Sequence, residues 1–78
     1  MGMYGDMARR HWKTFLPSYY AKLVAEGRLE MELAAAEAKT CGELVMLISE
    51  QGMRADEARE FVLPHHILLE PEAAARIY

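Results

Sequence analysis

The longest periodic segment of the chain predicts one dominant helix over residues 28–51. Apolar or small residues recur along it at steps of three and four, the spacing of one helix face. The first row of such residues is Leu29, Leu33, Ala36, Thr40, Leu44 and Leu47. A second row beside it is Met31, Ala34, Ala38, Cys41, Val45 and Ile48. Because two adjacent rows are wider than a coiled-coil seam, we expect this helix to pack against several neighbours at the centre of the core.

The middle of this helix carries a signal that could divide it. Thr40 and Glu43 match a capping box, which is a pattern that begins a helix. Gly42 lies between them, and glycine inside a helix costs about 1 kcal/mol relative to alanine. The sequence therefore leaves open whether residues 28–51 form one helix or two.

The N-terminal third predicts two shorter helices. Asp6 suits the N-cap of a helix over residues 7–16, and residues 1–5 before it are expected to be disordered. Pro17 ends this helix at either a kink or a tight corner. A second helix is predicted over residues 18–26, with Gly27 at the left-handed position that commonly follows a helix.

The C-terminal third predicts a turn at Gly52 and a helix that ends at Leu63, before Pro64. Residues 65–69 are expected to be extended or to form a single turn, and Pro71 predicts a last short helix over residues 72–78. The predicted fold is all-α, a single domain over residues 1–78 with four or five short helices around a central long one. The expected core residues are Leu33, Leu44, Leu47, Ile48 and Phe61.

Composition places the chain among small folded proteins. Its 78 residues are 53% hydrophobic and 27% charged, which is too apolar for a disordered chain. A single cysteine cannot form an intramolecular disulfide, so we expect a reducing compartment and a buried structural thiol at Cys41. No run approaches the ~20 apolar residues of a membrane span, and the first residues do not resemble a secretory signal. A cytoplasmic protein is therefore expected.

No sequence pattern points to catalysis or metal binding. His65 and His66 are adjacent, and adjacent residues of a helix or strand point in different directions. His11 and Cys41 are the other ligand types that zinc prefers, but they stand at no metal-binding spacing. The chain also lacks a glycine-rich phosphate loop. We therefore expect no enzyme activity, no cofactor and no metal.

Charge is divided unevenly along the chain, whose net charge is −3. Residues 9–28 carry five basic residues and one acidic residue, whereas residues 29–78 carry ten acidic and four basic residues. The basic segment also contains aromatic residues, a combination that could bind an acidic protein surface or a nucleic acid. The candidate partner-binding residues are Arg9, Arg10, Trp12, Lys13, Tyr19 and Tyr20. The alternative interpretation is a solvated helix face with Trp12 in the core.

One segment resembles a known family. The residues that carry the resemblance are Arg10, Lys13, Pro17, Tyr20, Leu23, Gly27, Leu29 and Leu33. Their spacing resembles the N-terminal half of TnpV-like proteins, which are small proteins encoded on bacterial transposons. Beyond Lys39 the two patterns differ. The resemblance implies a helical accessory protein of a transposon or phage, and it supplies no catalytic residues.

These observations lead to one expected function and two alternatives. We expect a non-enzymatic accessory or regulatory protein of a mobile genetic element that acts by binding another protein. A homodimer is expected as well, because the apolar run at residues 44–48 cannot all face one small core. The alternatives are a nucleic-acid-binding regulator that uses the basic N-terminal helix, and an acidic inhibitor that imitates nucleic acid to block a host enzyme. The acidic balance of the chain counts against nucleic acid.

Overall fold

A computed structural model describes residues 2–72 and contains four helices over that range. They are α1 (Met3–Phe15), α2 (Pro17–Ala25), α3 (Leu29–Ser49) and α4 (Ala55–His66). The described part of the chain has no strand, which confirms the predicted all-α fold. None of these four helices is long and apolar enough to cross a membrane.

Helices α1 and α2 meet at a tight corner rather than a kink. Leu16 alone separates them; its backbone is non-helical, and Pro17 occupies the first position of α2. Proline suits that position because its missing N–H has no partner within the helix. Leu16 is buried in the core, so the corner is fixed by packing as well as by backbone chemistry.

Helix α1 begins four residues earlier than expected. It starts at Met3, so Asp6 lies in the first turn instead of capping the helix, and the expectation of disorder is wrong for residues 3–5. The reason is a contact from outside the helix: the carboxylate of Glu37 on α3 accepts hydrogen bonds from the backbone N–H groups of Gly2 and Gly5. Two of the four N–H groups that a helix start leaves without a partner are thereby satisfied.

Helix α3 is continuous through Gly42, which answers the question of one helix or two. The Thr40 hydroxyl does not cap a new helix; it donates a hydrogen bond to the Ala36 carbonyl at 2.8 Å, within the same helix. A turn lies at each end of α3, as the glycines predicted. Gly27 and Gly52 both have positive φ, at 68° and 66°, a conformation that costs glycine little.

Helix α4 extends past Pro64, contrary to the expected end at Leu63. It runs to His66, so His65 and His66 are helical, and its last turn is closed by hydrogen bonds from Ile67 and Leu68 to the Leu63 carbonyl. Ile67 is completely buried, and this burial holds the end of the helix against the core. The helix expected over residues 72–78 lies outside the described residues, except for Glu72.

The core lies between α3 and the other three helices. The larger of its two clusters contains Ala8, Trp12, Leu16, Leu23, Leu29, Leu33, Ala36 and Ile67, and the smaller contains Leu44, Ala58 and Val62. The molecule is flat, with dimensions of 39 × 29 × 14 Å. Since packed helix axes lie about 8–10 Å apart, a thickness of 14 Å corresponds to two layers of helices. Helix α3 is therefore covered on one side.

The burial of individual residues confirms part of the expected core and corrects the rest. Leu33 and Leu44 are buried, and Leu47 packs half-buried against the smaller cluster. Ile48 and Phe61 are exposed, however, and so is Cys41, which was expected to be a buried thiol. Ile48 and Cys41 belong to the second row of α3, which has no covering helix within residues 2–72. Phe61 lies on the outer side of α4, while its neighbour Val62 enters the core.

Candidate functional site

The outer face of α3 is an exposed row of apolar and small side chains. Met31 is 63% exposed, Val45 is 66% exposed and Ile48 is 42% exposed, and the three smaller residues between Met31 and Val45 are exposed as well. We call this row the α3 seam; its residues are Met31, Ala34, Ala38, Cys41, Val45 and Ile48. The sequence predicts that both rows pack in the core, apart from some of residues 44–48. The structure corrects this for Cys41 and Ile48, because only the first row is covered within residues 2–72.

The spacing of the α3 seam differs from that of the buried row. Its residues follow one another at steps of three, four, three, four and three, which is the heptad pattern of a coiled-coil seam. The buried row advances at four, three, four, four and three, closer to the 3.6-residue period of a straight helix. This difference was present in the sequence and was the signal that could have separated the two rows.

The α3 seam contains no charged residue along its whole length. Small residues lie on one flank, at Gly42 and Ser49. A Cβ atom built at Gly42 would meet no atom within 4 Å, and its φ lies in the helical range, so no contact within the described chain requires glycine there. Glycine in a helix is nevertheless costly relative to alanine. Its position beside the seam suits a close approach by another helix.

Two carboxylates border the other flank of the seam, and both are bound within the chain. Glu30 accepts a hydrogen bond from Arg9 at 2.7 Å, and this contact lowers the pKa of the carboxyl and raises that of the guanidinium. Glu37 accepts hydrogen bonds from the backbone of Gly5 and Gly2, which lower its pKa. Both carboxylates therefore stay charged and are held in place by α1.

Trp12 cannot serve as a partner-binding anchor, because the structure places it in the core. Its side chain is 2% exposed, and its indole Nε1 donates a hydrogen bond to the Ile67 carbonyl at 2.9 Å. Tyr19 packs edge-on against the indole with ring centroids 5.4 Å apart, and burial raises the pKa of its hydroxyl. Tyr20 is half-buried against the same cluster. The aromatic residues of the N-terminal segment thus serve mainly to build the core.

The basic residues of that segment are divided between ion pairs and solvent. Arg9 is bound to Glu30, and Arg28 contacts Glu26 at 2.7 Å and Glu32 at 3.1 Å. Arg10 and Lys13 are exposed on α1. The structure therefore does not bring the six candidate residues together on one accessible surface, and the local positive excess is partly neutralised.

The histidines and the cysteine also lie apart. His11 hydrogen-bonds the Leu69 carbonyl, His65 the Phe61 carbonyl and His66 the Glu43 carboxylate, each at 2.7–2.8 Å. Cys41 lies on the α3 seam. Within residues 2–72, no three histidine, cysteine or acidic side chains lie close enough to hold a metal ion.

Comparison with protein-family models, curated proteins and solved structures found no match to this chain. The α3 seam is an apolar part of the surface that no other element of residues 2–72 covers.

Proposed function

We propose that this protein is non-enzymatic and acts by binding a protein chain through the α3 seam. The observation that carries this proposal is the exposure of Met31, Val45 and Ile48 on one uncharged helix face. Covering apolar surface gains about 25 cal/mol per Å² removed from water. A contiguous apolar patch on a small protein commonly marks an interaction site.

The charges of the N-terminal segment support a protein partner over a nucleic acid. Arg9 and Arg28 contact carboxylates of the same chain. A nucleic-acid-binding surface needs cations that are available to phosphates, usually as a pronounced positive excess. The net charge of −3 lacks that excess.

Two further expectations belong to the same proposal. The resemblance of residues 10–33 to TnpV-like proteins supports an accessory or regulatory role on a mobile genetic element. The single cysteine supports a cytoplasmic location, which fractionation of the native host cell would test.

Site-specific photo-crosslinking tests the proposed surface. A photoreactive residue replaces Val45 in one variant and Met46 in the other, and both variants are expressed in the native host. Met46 is 45% exposed and lies about 100° around the helix from Val45, outside the seam, so it is a matched control on the same helix. We expect protein crosslinks from position 45 and few or none from position 46.

Adding Val45→Glu to the experiment separates specific contacts from random ones. A photoreactive residue at Ala38 should lose its crosslinks in the Val45→Glu background and keep them in the Met46→Glu background. Equal crosslinking from positions 45 and 46, or crosslinks that neither substitution changes, would contradict the proposed surface.

A further inference from the structure

We infer that the partner of the α3 seam is a second copy of this chain, whose own α3 packs against it in antiparallel orientation. This inference rests on the proposed function and names the occupant of the same surface. A twofold-symmetric dimer requires a patch that is complementary to itself. The order of side-chain sizes along the seam meets that requirement in one orientation.

Reversing one helix brings opposite ends of the seam together. Met31 then faces Ile48 of the second copy, Ala34 faces Val45, and Ala38 faces Cys41. The bulkiest pair lies at each end of the contact and the smallest pair on either side of its centre, so the two helices can approach most closely at the twofold axis. A parallel pair would instead place Ala34 against Ala34 and Val45 against Val45, which makes the layers uneven along the contact.

The centre of the antiparallel contact also accounts for Gly42. The two helices approach most closely near Ala38 and Cys41, and Gly42 flanks that point. Its backbone is exposed, and no side chain of the described residues lies where its Cβ would be. A neighbouring helix could therefore come close there, in a way that a larger residue would prevent.

Size and charge are compatible with such a dimer. The seam runs along about 26 Å of one helix, so a contact between two such helices belongs to the smaller and weaker interfaces, and its dimer should form at micromolar rather than nanomolar concentration. The six seam residues are uncharged, so no charge is buried between them; Glu30 and Glu37 lie at the rim of the contact, where solvent screens the repulsion between the two copies. Antiparallel helices also place the positive end of one helix dipole beside the negative end of the other.

Sedimentation of the full chain tests self-association. We expect a dimer at high micromolar concentration. Val45→Glu should raise the dissociation constant at least ~30-fold, which corresponds to about 2 kcal/mol. Met46→Glu, the same kind of change one residue away, should alter it less than ~3-fold. Both sites are exposed in the single chain, so circular dichroism should show unchanged helix content.

Gly42→Gln tests the close approach at the centre. Glutamine forms helices better than glycine and adds bulk without charge, so the isolated chain should gain thermal stability. The dimer should nevertheless weaken by ~10-fold or more, since the helices can no longer approach as closely. Unchanged or tighter self-association would overturn the proposed packing.

Disulfide formation tests the orientation. The wild-type chain, with its single Cys41, is mixed with a mass-tagged variant carrying Ala38→Cys and Cys41→Ala. Under mild oxidation, antiparallel pairing should link position 38 of one chain to position 41 of the other and give mainly mixed disulfides. A parallel pair would give mainly disulfides between identical chains, and this result would overturn the inference.

These outcomes separate the inference from the proposed function. A monomer at high micromolar concentration overturns the inference. If position 45 still crosslinks to a different protein in the host, the interaction function remains supported. A monomer without crosslinks from position 45 contradicts both.

Discussion

The Glu37 carboxylate caps helix α1 although the two belong to different parts of the chain. Its Oε2 accepts a hydrogen bond from the backbone N–H of Gly5 at 3.0 Å, and its Oε1 accepts one from Gly2 at 2.9 Å. In a capping box, two side chains of one helix satisfy the corresponding N–H groups. Here a single side chain of α3 satisfies both, which joins the start of α1 to the middle of α3.

The first prediction concerns the pH dependence of this cap. The Gly5 and Gly2 N–H groups lower the pKa of Glu37 below its usual value of 4.5. The carboxylate therefore stabilises the fold at pH values above 4.5, and this contribution is lost as the pH falls through the lowered pKa. Glu37→Gln should lower the melting temperature at neutral pH, and the difference from wild type should shrink in acid.

Glu60→Gln provides the control, because Glu60 is an exposed carboxylate on a different helix, α4. Thermal unfolding followed by circular dichroism from neutral to acidic pH measures both variants. A difference between Glu37→Gln and wild type that stays constant as the pH falls would contradict the capping role of the carboxylate.

The second prediction concerns the buried hydrogen bond of Trp12. Trp12→Phe keeps an aromatic ring in the core but leaves the Ile67 carbonyl without the indole donor. A buried polar group without a partner costs about 1–3 kcal/mol, so urea unfolding should show a loss of that size or more. Tyr19→Phe removes only a hydroxyl and should change stability by less than ~0.5 kcal/mol. A loss for Trp12→Phe as small as the one expected for Tyr19→Phe would contradict the stabilising role of the indole hydrogen bond.

The third prediction concerns the row of α3 that faces the core. Leu33 is completely buried, and Leu33→Ala should cost about 2–5 kcal/mol, a large part of the stability of so small a domain. Val24→Ala removes apolar groups from a residue that is 54% exposed and should cost less than ~0.5 kcal/mol. Chemical unfolding compares the two. If Leu33→Ala were as stable as Val24→Ala, the assignment of the buried row would be wrong.

The fourth prediction concerns the nucleic-acid alternative. The wild-type chain should not bind a random duplex or single strand at physiological salt, because Arg9 and Arg28 are paired with carboxylates. Fluorescence anisotropy with labelled DNA and RNA measures this. Micromolar binding that falls steeply with salt, and that is lost on changing Arg10 and Lys13 to glutamate, would support the alternative instead.

The ends of several elements could be predicted from single residues. Pro17 separates α1 from α2, and Gly27 and Gly52 adopt the positive φ of the turns on either side of α3. These features depend on the backbone chemistry of one or two residues, so no distant contact is needed to establish them. The first row of α3 could also be predicted from the local sequence, because its residues recur at the steps of three and four that mark one face of a helix.

Other boundaries depended on residues far away in the chain. Helix α1 begins at Met3 because Glu37 accepts hydrogen bonds from its first turn, and α4 continues through Pro64 to a buried Ile67. The helix propensity of the neighbouring residues does not indicate either contact. The early end expected at Leu63 and the late start expected at Met7, after the Asp6 cap, followed from judging each helix by its own residues.

The sequence by itself determined that the chain is helical, where its main turns lie and that α3 carries two rows able to pack. Only the tertiary structure decided which row would be buried, because both rows are apolar enough to enter a core. The described helices form two layers, so the row containing Leu33 is covered and the row containing Val45 faces water. The same packing placed Trp12 inside, where its indole and the Ile67 carbonyl satisfy each other. Burial depends on which surfaces remain after all helices have packed, and this is a property of the whole fold rather than of any one segment.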